Sequence, residues 1–345
     1  MKYLIIGAGA IGTYIGGSLL RSGQNVIFLE REELIQKLLI DGIKINLEDG
    51  PYKTSSVQVY SDFGQAVKNQ PDVVIFAMKS FDTSSAAEML SKYKEMFKVV
   101  LCLQNGVENE HTIAAQIGED RVIGGSVTSS VERVDSGNAT LERKRGIGIA
   151  NTHLLSRSIV NDFNAANLNA KLYPKLMDLK WSKMLSNLLG NATSAILNMT
   201  PSEIFQNPET YNIECLEMSE AINVMRKLGL HPVNLPGVPM RVLLWIMLKL
   251  PQGVSRPILG KLLGSGRGGK MPSFHIDLHS GRKVLESTYL NGAISRLGQK
   301  MNISTPINDV LNRKLQEMAI DNALIIEYDH RVDRLLKDIQ EYSRG

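Results

Sequence analysis

Three polar residues, Lys183, Asn187 and Asn191, recur at intervals of four within the otherwise apolar stretch of residues 181–197. On a helix, residues four apart are displaced by only about 40° around the axis, so one ammonium and two carboxamides would face the same space. The remaining side chains are mostly Leu, Ala, Met and Ile, which predicts an interior helix rather than a solvated one. Buried polar groups need partners, and a bound anionic substrate would satisfy all three. We therefore interpret them as a candidate active site on one continuous helix.

A second set of candidate residues lies near the start of the chain. Residues 2–6 are predicted to form a short buried strand, residues 7–12 have the pattern GxGxxG, and the apolar run to Leu20 is predicted to form a helix. In this pattern the glycines permit a tight turn, close approach of a pyrophosphate and close packing of the helix on the strand. The free amides at the helix N-terminus favour phosphate. The predicted dinucleotide contacts are Gly7, Ala8, Gly9, Ala10, Ile11 and Gly12.

The second strand is predicted over residues 23–29, and the two residues that follow it bear on the choice of coenzyme. Glu30 would accept hydrogen bonds from the ribose 2′-OH of NAD, whereas Arg31 would suit the 2′-phosphate of NADP. At least one of the two must face solvent at the start of the next helix. The residues by themselves leave the choice between NADH and NADPH open.

Two further apolar runs, residues 72–78 and 98–103, are predicted to be parallel strands separated by a helix. Lys79 follows the first run and Asn105 follows the second. Ligands of a doubly wound sheet bind beyond the carboxyl ends of its strands, so both residues are predicted to touch coenzyme or substrate. Asn105 followed by glycine would equally suit an ordinary turn.

Length and composition predict a two-domain α/β protein, since 345 residues with 43% hydrophobic content suffice for two ordinary cores. Residues 1–173 are predicted to form a Rossmann-type dinucleotide-binding domain that ends in a hairpin, a strand, a helix and a last strand. Beyond Pro174 no strand pattern is evident, so residues 174–345 are predicted to form an all-helical substrate-binding domain. Cys102 and Cys215 do not make a disulfide framework and no signal peptide precedes the first strand, so we expect a cytoplasmic protein.

Several functional classes are disfavoured. The net charge of +4 is modest, and the densest basic cluster lacks the interleaved aromatic residues of a nucleic-acid binder. The apolar run of residues 242–250 is too short to cross a membrane. Residues 264–270 match GxxxxGK, but Met271 stands where that motif needs Ser or Thr, so we expect a mobile connection. His275 and His279 have metal-ligand spacing without an evident third ligand, so no metal site is predicted.

The order and spacing of these residues resemble those of the ketopantoate reductases over nearly the whole chain. The single motifs are weak, but their joint order is specific. The residues that carry the resemblance are Gly7 to Gly12, Lys79, Leu103-Gln104-Asn105-Gly106, Trp181-Ser182-Lys183, Asn187, Asn191, Ser273, Asp277, Glu286, Leu290-Asn291-Gly292 and Thr305-Pro306.

The resemblance implies an enzyme that reduces 2-dehydropantoate (ketopantoate) to (R)-pantoate with NADPH, on the route to pantothenate and coenzyme A. Lys183 would give a proton to the growing oxyanion, provided that desolvation lowers its pKa toward neutrality. Arg31 falls where the family contacts the 2′-phosphate, which favours NADPH, while Glu30 beside it keeps NADH possible.

The resemblance also implies roles for the remaining candidates. Asn187 and Asn191 would hold the hydroxyl and carbonyl of a small anionic 2-oxo acid, and Ser273 would bind its carboxylate. Glu286 would be an anchoring carboxylate that touches a substrate hydroxyl or the coenzyme ribose and balances the charge of the catalytic lysine. Asn105 would contact coenzyme and substrate.

Some positions depart from the family pattern and leave alternatives open. One residue more than usual precedes Glu286, Leu285 stands where Thr is common, and Pro272 and Phe274 replace Ser and Met. Residues 232–270 form a longer segment than in compact members, which could cover the cleft, form a dimer contact or be a structural appendage. The alternatives are a paralogue that reduces another branched or aromatic 2-oxo acid, as D-mandelate dehydrogenases do, and a non-catalytic nucleotide-binding protein. A monomer and a homodimer are both compatible with the sequence.

Overall fold

The chain divides into two units in the computed structural model, which describes residues 1–267 and 270–344. The division falls inside a helix, directly after Lys180, and the predicted boundary at Pro174 precedes that helix. The first unit consists of Met1–Lys180 and Leu235–Val238, and the second of Trp181–Asn234 and Pro239–Gly345.

Runs rich in Val, Ile and Leu form the strands of the first unit, because such side chains pack well on both faces of a buried sheet. The described residues of this unit form an eight-stranded sheet and a four-stranded sheet. In chain order the strands are β1 (Lys2–Ile6), β2 (Asn25–Leu29), β3 (Ile43–Leu47), β4 (Gly50–Thr54), β5 (Gln58–Tyr60), β6 (Val73–Phe76), β7 (Val99–Cys102), β8 (Val122–Val127), β9 (Ser130–Asp135), β10 (Asn138–Arg143), β11 (Ile147–Ala150) and β12 (Ala170–Tyr173).

The large sheet has the order β12-β11-β8-β7-β6-β1-β2-β5. Strands β8 to β5 in that order are parallel, and β11 and β12 run antiparallel to them. Along β1, Tyr3 and Ile5 pack into one hydrophobic core and Leu4 into another. Both faces of the sheet are therefore covered, which explains the continuous apolar runs. This architecture confirms the predicted Rossmann-type domain.

The small sheet has the order β4-β3-β10-β9. Its hairpin of β9 and β10 is the one that the sequence predicts, and Gly137 in the turn has a φ of +72°. Strands β3 and β4 form a second hairpin, and β3 pairs in parallel with β10. This sheet packs on the first helix of the unit, so the helix lies between two sheets.

Helices cover the sheet of the first unit, and a short 3₁₀ turn, Ser80–Asp82, follows β6. The helices are α1 (Ala10–Arg21), α2 (Glu32–Asp41), α3 (Phe63–Val67), α4 (Thr83–Ser91), α5 (Asn109–Ile117), α6 (Ser156–Ala165) and the start of α7 (Leu176–Leu188).

The second unit is helical, as predicted. Over the described residues beyond Pro174, the β structure is limited to a single bridge between Leu235 and Val238. A 3₁₀ turn, Glu286–Tyr289, precedes one of the helices. The helices are α8 (Ala192–Leu197), α9 (Pro201–Gln206), α10 (Pro208–Lys227), α11 (Met240–Lys249), α12 (Gln252–Arg267), α13 (Ser273–His279), α14 (Asn291–Lys300), α15 (Pro306–Ile320), α16 (Ala323–Glu327) and α17 (Val332–Arg344).

The prediction of one continuous helix over residues 181–197 is wrong. Helix α7 ends at Leu188, and α8 begins at Ala192. Gly190 between them has a φ of +61°, a left-handed conformation that ends helices and favours glycine. The predicted mobile connection over residues 264–270 overlaps α12 as far as Arg267, while residues 268 and 269 lie outside the described residues.

Candidate active site

Glycines shape the loop between β1 and α1. Gly7 has a φ of +95°, in the left-handed region. A Cβ at Gly12 would lie 1.9 Å from the Gly7 oxygen, so glycine is required for α1 to start this close to β1. At Gly9 a Cβ would meet nothing within 4 Å, so space is open beside the backbone. This loop and the first-turn amides of Ala10 and Ile11 fit the pyrophosphate of a dinucleotide.

Glu30 and Arg31 follow β2, next to the glycine loop. Glu30 Oε2 accepts a hydrogen bond from Ala8 N at 2.7 Å, and Oε1 accepts one from Arg31 N at 3.0 Å. The Arg31 side chain is 74% exposed. Burial raises the pKa of Asp82, and the charge of Arg31 opposes this shift, so both side chains face the same region. Glu30 therefore braces the loop, and Arg31 presents a guanidinium to solvent.

The predicted contacts Lys79 and Asn105 lie at the same edge of the sheet, beyond the ends of β6 and β7. Gln104 Nε2 donates to Lys79 O at 3.2 Å and to Thr83 Oγ1 at 2.8 Å. Ser80 Oγ donates to Asn105 O at 2.9 Å. These bonds tie the two loops together, so the structure brings both residues to the edge where the glycine loop also lies.

A buried ion pair, which the sequence reasoning missed, supports this edge. Lys180 Nζ lies 2.8 Å from Glu110 Oε1, and their side chains are 1% and 5% exposed. The same ammonium donates to Gln104 O at 2.6 Å, directly before Asn105. Burial by itself lowers the pKa of Lys180, but the Glu110 carboxylate outweighs that effect and the pKa is raised. The one signal in the sequence is a lysine within an apolar helical run.

Lys183 and Asn187 lie one turn apart on α7, as predicted. Both are half-buried, while Trp181 and Ser182 before them are fully buried. Ser182 Oγ accepts a hydrogen bond from Val233 N at 2.8 Å, which fixes this turn of α7 within the second unit. The partial exposure leaves both candidate side chains accessible to a small molecule.

Asn191 is 5% exposed, and its carboxamide bridges the break after α7. Its Nδ2 donates to Asn187 O at 3.0 Å, and its Oδ1 accepts a hydrogen bond from Phe274 N at 3.1 Å. The second bond caps the first turn of α13, whose first residue is the exposed Ser273. The structure thus brings Asn187, Asn191 and the Ser273 end of α13 together.

Glu286 is the first residue of the 3₁₀ turn Glu286–Tyr289 and is 6% exposed. The next residue fastens the turn to α15. Ser287 Oγ donates to Asn312 Oδ1 at 3.0 Å and accepts from Gln316 Nε2 at 2.8 Å. The position of Glu286 is therefore set by contacts inside the second unit.

The predicted coenzyme contacts other than Glu286 lie in the first unit, and the predicted substrate contacts other than Asn105 lie in the second. Within the described part of the chain, no group of three or more His, Cys, Asp or Glu side chains could hold a metal ion. His275 and His279 instead stack, with ring centroids 3.8 Å apart. No helix of the described residues is long and apolar enough to cross a membrane.

A glycine loop at the edge of a Rossmann-type sheet defines a class of proteins that bind dinucleotide coenzymes. Residues 3–152 match the family described as Ketopantoate reductase PanE/ApbA, and residues 175–319 match Ketopantoate reductase PanE/ApbA C terminal. The chain therefore belongs to the ketopantoate reductase family, and its coenzyme is a nicotinamide dinucleotide.

Known relatives agree with this assignment. The 2-dehydropantoate 2-reductase of Pyrococcus horikoshii is 27% identical over 90% of this chain and 95% of its own length. The crystal structure of a ketopantoate reductase from Ralstonia eutropha is 25% identical, with a TM-score of 0.78 over 94% of this chain and 100% of the other.

Two further solved structures share the fold at lower identity. D-mandelate dehydrogenase in a ternary complex with NADH and anilino(oxo)acetate is 20% identical, with a TM-score of 0.76 over 94% of this chain and 99% of the other. A dimeric ketopantoate reductase from Staphylococcus aureus is also 20% identical, with a TM-score of 0.69 over 92% of this chain and 100% of the other.

Proposed function

We propose that this protein reduces 2-dehydropantoate to (R)-pantoate with NADPH. The observation that carries the proposal is Lys183, half-buried on α7 one turn before Asn187, in a chain whose two parts both match the ketopantoate reductase family. An accessible lysine can supply both a proton and positive charge to a carbonyl oxygen that is being reduced. The relative from Pyrococcus horikoshii, named for this reaction, supports the choice of substrate.

In this proposal the first unit holds the coenzyme. The backbone of residues 7–12 and the first amides of α1 bind the pyrophosphate, and Lys79 and Asn105 contact the coenzyme from the ends of β6 and β7. When bound, the coenzyme supplies the hydride that the carbonyl carbon receives. The hydrogen bonds between these two loops keep the contacting residues in place before the coenzyme binds.

NADPH is the proposed coenzyme because of the environment of Arg31. The exposed guanidinium of Arg31 suits a 2′-phosphate. The Glu30 carboxylate already accepts two backbone hydrogen bonds, one of them from Ala8. Its remaining lone pairs can still accept a hydrogen bond from a ribose hydroxyl, so the preference for NADPH rests on Arg31.

The second unit would hold the substrate. Lys183 donates the proton to the C2 oxygen as the carbonyl carbon receives the hydride, which leaves a neutral hydroxyl. Asn187 and Asn191 hydrogen-bond the carbonyl and hydroxyl groups, and Ser273 binds the carboxylate. Glu286 anchors a substrate hydroxyl or the coenzyme ribose and balances the charge of the lysine.

A second candidate function is the reduction of another branched or aromatic 2-oxo acid. The similarity of fold to D-mandelate dehydrogenase favours it, as does Leu285, fully buried where a Thr is common in the family. Such an enzyme would keep the same lysine and carboxamides. An apolar pocket changes kcat/KM between neighbouring apolar groups by only about 10- to 200-fold. We therefore expect one enzyme to show both activities at different rates.

We also propose that the protein is a homodimer. The dimeric relative from Staphylococcus aureus supports this proposal. Light scattering during size-exclusion chromatography would test it, and a mass of one chain at all protein concentrations would contradict it.

The substrate proposal is tested by coenzyme oxidation with a panel of 2-oxo acids. The purified protein is mixed with 2-dehydropantoate, phenylglyoxylate or 2-oxoisovalerate, each with NADPH and with NADH. We expect the highest kcat/KM with 2-dehydropantoate and NADPH. A preference for phenylglyoxylate would move the protein to the second candidate function, and an absence of turnover with every pair would contradict both.

A further inference from the structure

Helix α10 carries two glutamates, Glu214 and Glu217, that are fully buried at 0% exposure. Buried carboxylates are normally paired with cations or satisfied by several donors. Glu214 is satisfied by donors, since Oε2 accepts from Gly190 N at 2.6 Å and Oε1 accepts from Thr193 Oγ1 at 2.5 Å. It thereby holds the break between α7 and α8.

Glu217 has a different environment. Its Oε1 accepts a hydrogen bond from Asn291 Nδ2 at 2.6 Å. Its Oε2 and the Asn291 Oδ1 are both buried, and neither has a hydrogen-bond partner among the described residues. As an ionised carboxylate, Glu217 would leave two buried acceptors of the same pair without a donor, which is costly.

Asn291 is the first residue of α14, and one residue, Leu290, separates it from the 3₁₀ turn that carries Glu286. That turn is fastened to α15 at one end through Ser287. Its other end is fastened through Asn291, which binds Glu217 of α10 and also donates to Asn308 Oδ1 of α15 at 3.1 Å. The pair of Glu217 and Asn291 therefore fixes the chain just beyond the C-terminal end of the turn.

We propose that Glu217 is a positioning residue for the substrate site, which it serves by holding Asn291 and, through it, the turn that carries Glu286. This inference rests on the proposed function and, within it, on the assignment of Glu286 to a substrate hydroxyl and not to the coenzyme ribose. Glu217 itself touches neither in this proposal.

The chemical form that satisfies the pair is a protonated Glu217. A proton on Oε2 supplies the donor that Asn291 Oδ1 lacks, and the acid and the amide then form a cyclic pair of hydrogen bonds. Burial raises the pKa of Glu217 well above its usual range, and the charges of Glu214 and Glu220 on the same helix act in the same direction. The hydrogen bond from Asn291 of α14 opposes this shift in the pKa of Glu217. On α15, Asn308 Nδ2 donates to the backbone oxygen of Glu217. Asp309, also on α15, raises the pKa of Glu220 through its charge.

This form gives a sharp choice of variants. Glu217→Gln keeps one acceptor and one donor in the shape of the protonated acid, so it should replace the native side chain. Glu217→Ala removes both hydrogen bonds. Glu209→Gln, on the exposed first turn of α10, is the matched control for the loss of an acidic residue from this helix.

We expect Glu217→Gln to change kcat and both KM values by less than about twofold. Glu217→Ala should raise KM for the 2-oxo acid by about tenfold, because Asn291 loses its partner and the turn that carries Glu286 loses a support, and should leave KM for the coenzyme unchanged. Asn291→Ala should give the same split, and the double variant should be no worse than either single variant. An equal rise in KM for the 2-oxo acid in Glu217→Gln and in Glu217→Ala would overturn the proposal. An equal rise in KM for the 2-oxo acid and in KM for the coenzyme would also overturn it.

A second readout needs no turnover. A carboxyl whose pKa is raised by folding stabilises the protein at low pH, and this contribution is lost as pH rises through the folded-state pKa. The thermal midpoint of the native protein should therefore fall relative to Glu217→Gln as pH rises above about 4.3, the usual pKa of a Glu. A constant difference from pH 5 to pH 9 would overturn the acid–amide pair. If the native protein reduces no 2-oxo acid, the proposed function fails, while this readout still decides the pair.

Discussion

Lys180 and Lys183 stand one helical turn apart on α7, yet their environments suit different tasks. Lys180 is 1% exposed and paired with Glu110, so its proton is not available to a ligand. Lys183 is half-buried and accessible. A proton donor must reach the substrate and exchange with solvent, so the reactive lysine is expected at position 183.

Replacement of Lys183 by Ala should lower kcat by roughly 10² to 10⁴, the usual contribution of a general acid. KM for the coenzyme should stay nearly unchanged, because the predicted coenzyme contacts other than Glu286 belong to the other unit. Steady-state kinetics of Lys183→Ala would be compared with Lys175→Ala, which removes an exposed lysine just before α7. Turnover equal to that of the control would remove Lys183 from the mechanism.

Arg31 and Glu30 are adjacent, but only the first side chain reaches solvent to a large extent. Arg31→Ala should raise KM for NADPH by about tenfold or more and leave KM for NADH nearly unchanged, since only NADPH carries the 2′-phosphate. Both values would be measured with the same 2-oxo acid. An equal rise for the two coenzymes would assign Arg31 a role in loop structure instead.

At the scale of elements, the start of α7 is fastened by the buried pair of Lys180 and Glu110. Lys180→Met should lower the free energy of unfolding by about 3–5 kcal/mol, because it leaves a buried carboxylate without its cation. The double variant Lys180→Met with Glu110→Gln should be more stable than Lys180→Met, because no buried charge is left alone. Urea unfolding of the single and double variants measures this coupling, and additive losses would contradict a direct interaction.

Elements whose determinants are local could be predicted from the sequence. The glycine loop is an example, because Gly7 and Gly12 act within a few residues of β1 and α1. The break after α7 has a local signal in Gly190, but the apolar residues on both sides of it favour a continuous helix. For the ion pair, the sequence marks Lys180 as a lysine in an apolar run but does not indicate Glu110 as its partner, because the two residues are far apart in sequence and meet only when α5 and α7 are in place.

At the scale of the whole molecule, the class of each unit followed from its hydrophobic pattern, while the small sheet did not. Its strands β3 and β4 carry polar residues such as Lys44, Asn46 and Lys53 and have little continuous burial, so they lack the apolar runs of the large sheet. The pairing of β3 with β10 depends on contacts distant in the chain. The hydrophobic pattern therefore predicts the buried large sheet better than it predicts the small sheet.

Stability of the whole molecule should also decline on the acid side, through His275 and His279. The two rings stack on α13, and His275 Nε2 lies 2.8 Å from Asn198 Oδ1. Burial lowers the pKa of His279, and the charge of Asp329 opposes this shift. Burial and then the charge of His279 lower the pKa of His275 from 6.5 to about 4. As pH falls below 6.5, the unfolded chain binds a proton that the folded chain refuses, so stability is lost between about 6.5 and about 4.

The thermal midpoint of the native protein should therefore fall relative to His275→Asn as pH is lowered from 7 to 4. Asn removes the titrating group and keeps a polar side chain opposite Asn198. This slope is opposite in sign to that expected for Glu217, so the two groups are separable in one series of pH values. A parallel decline of the native protein and His275→Asn would mean that carboxylates, rather than the histidine stack, govern acid unfolding.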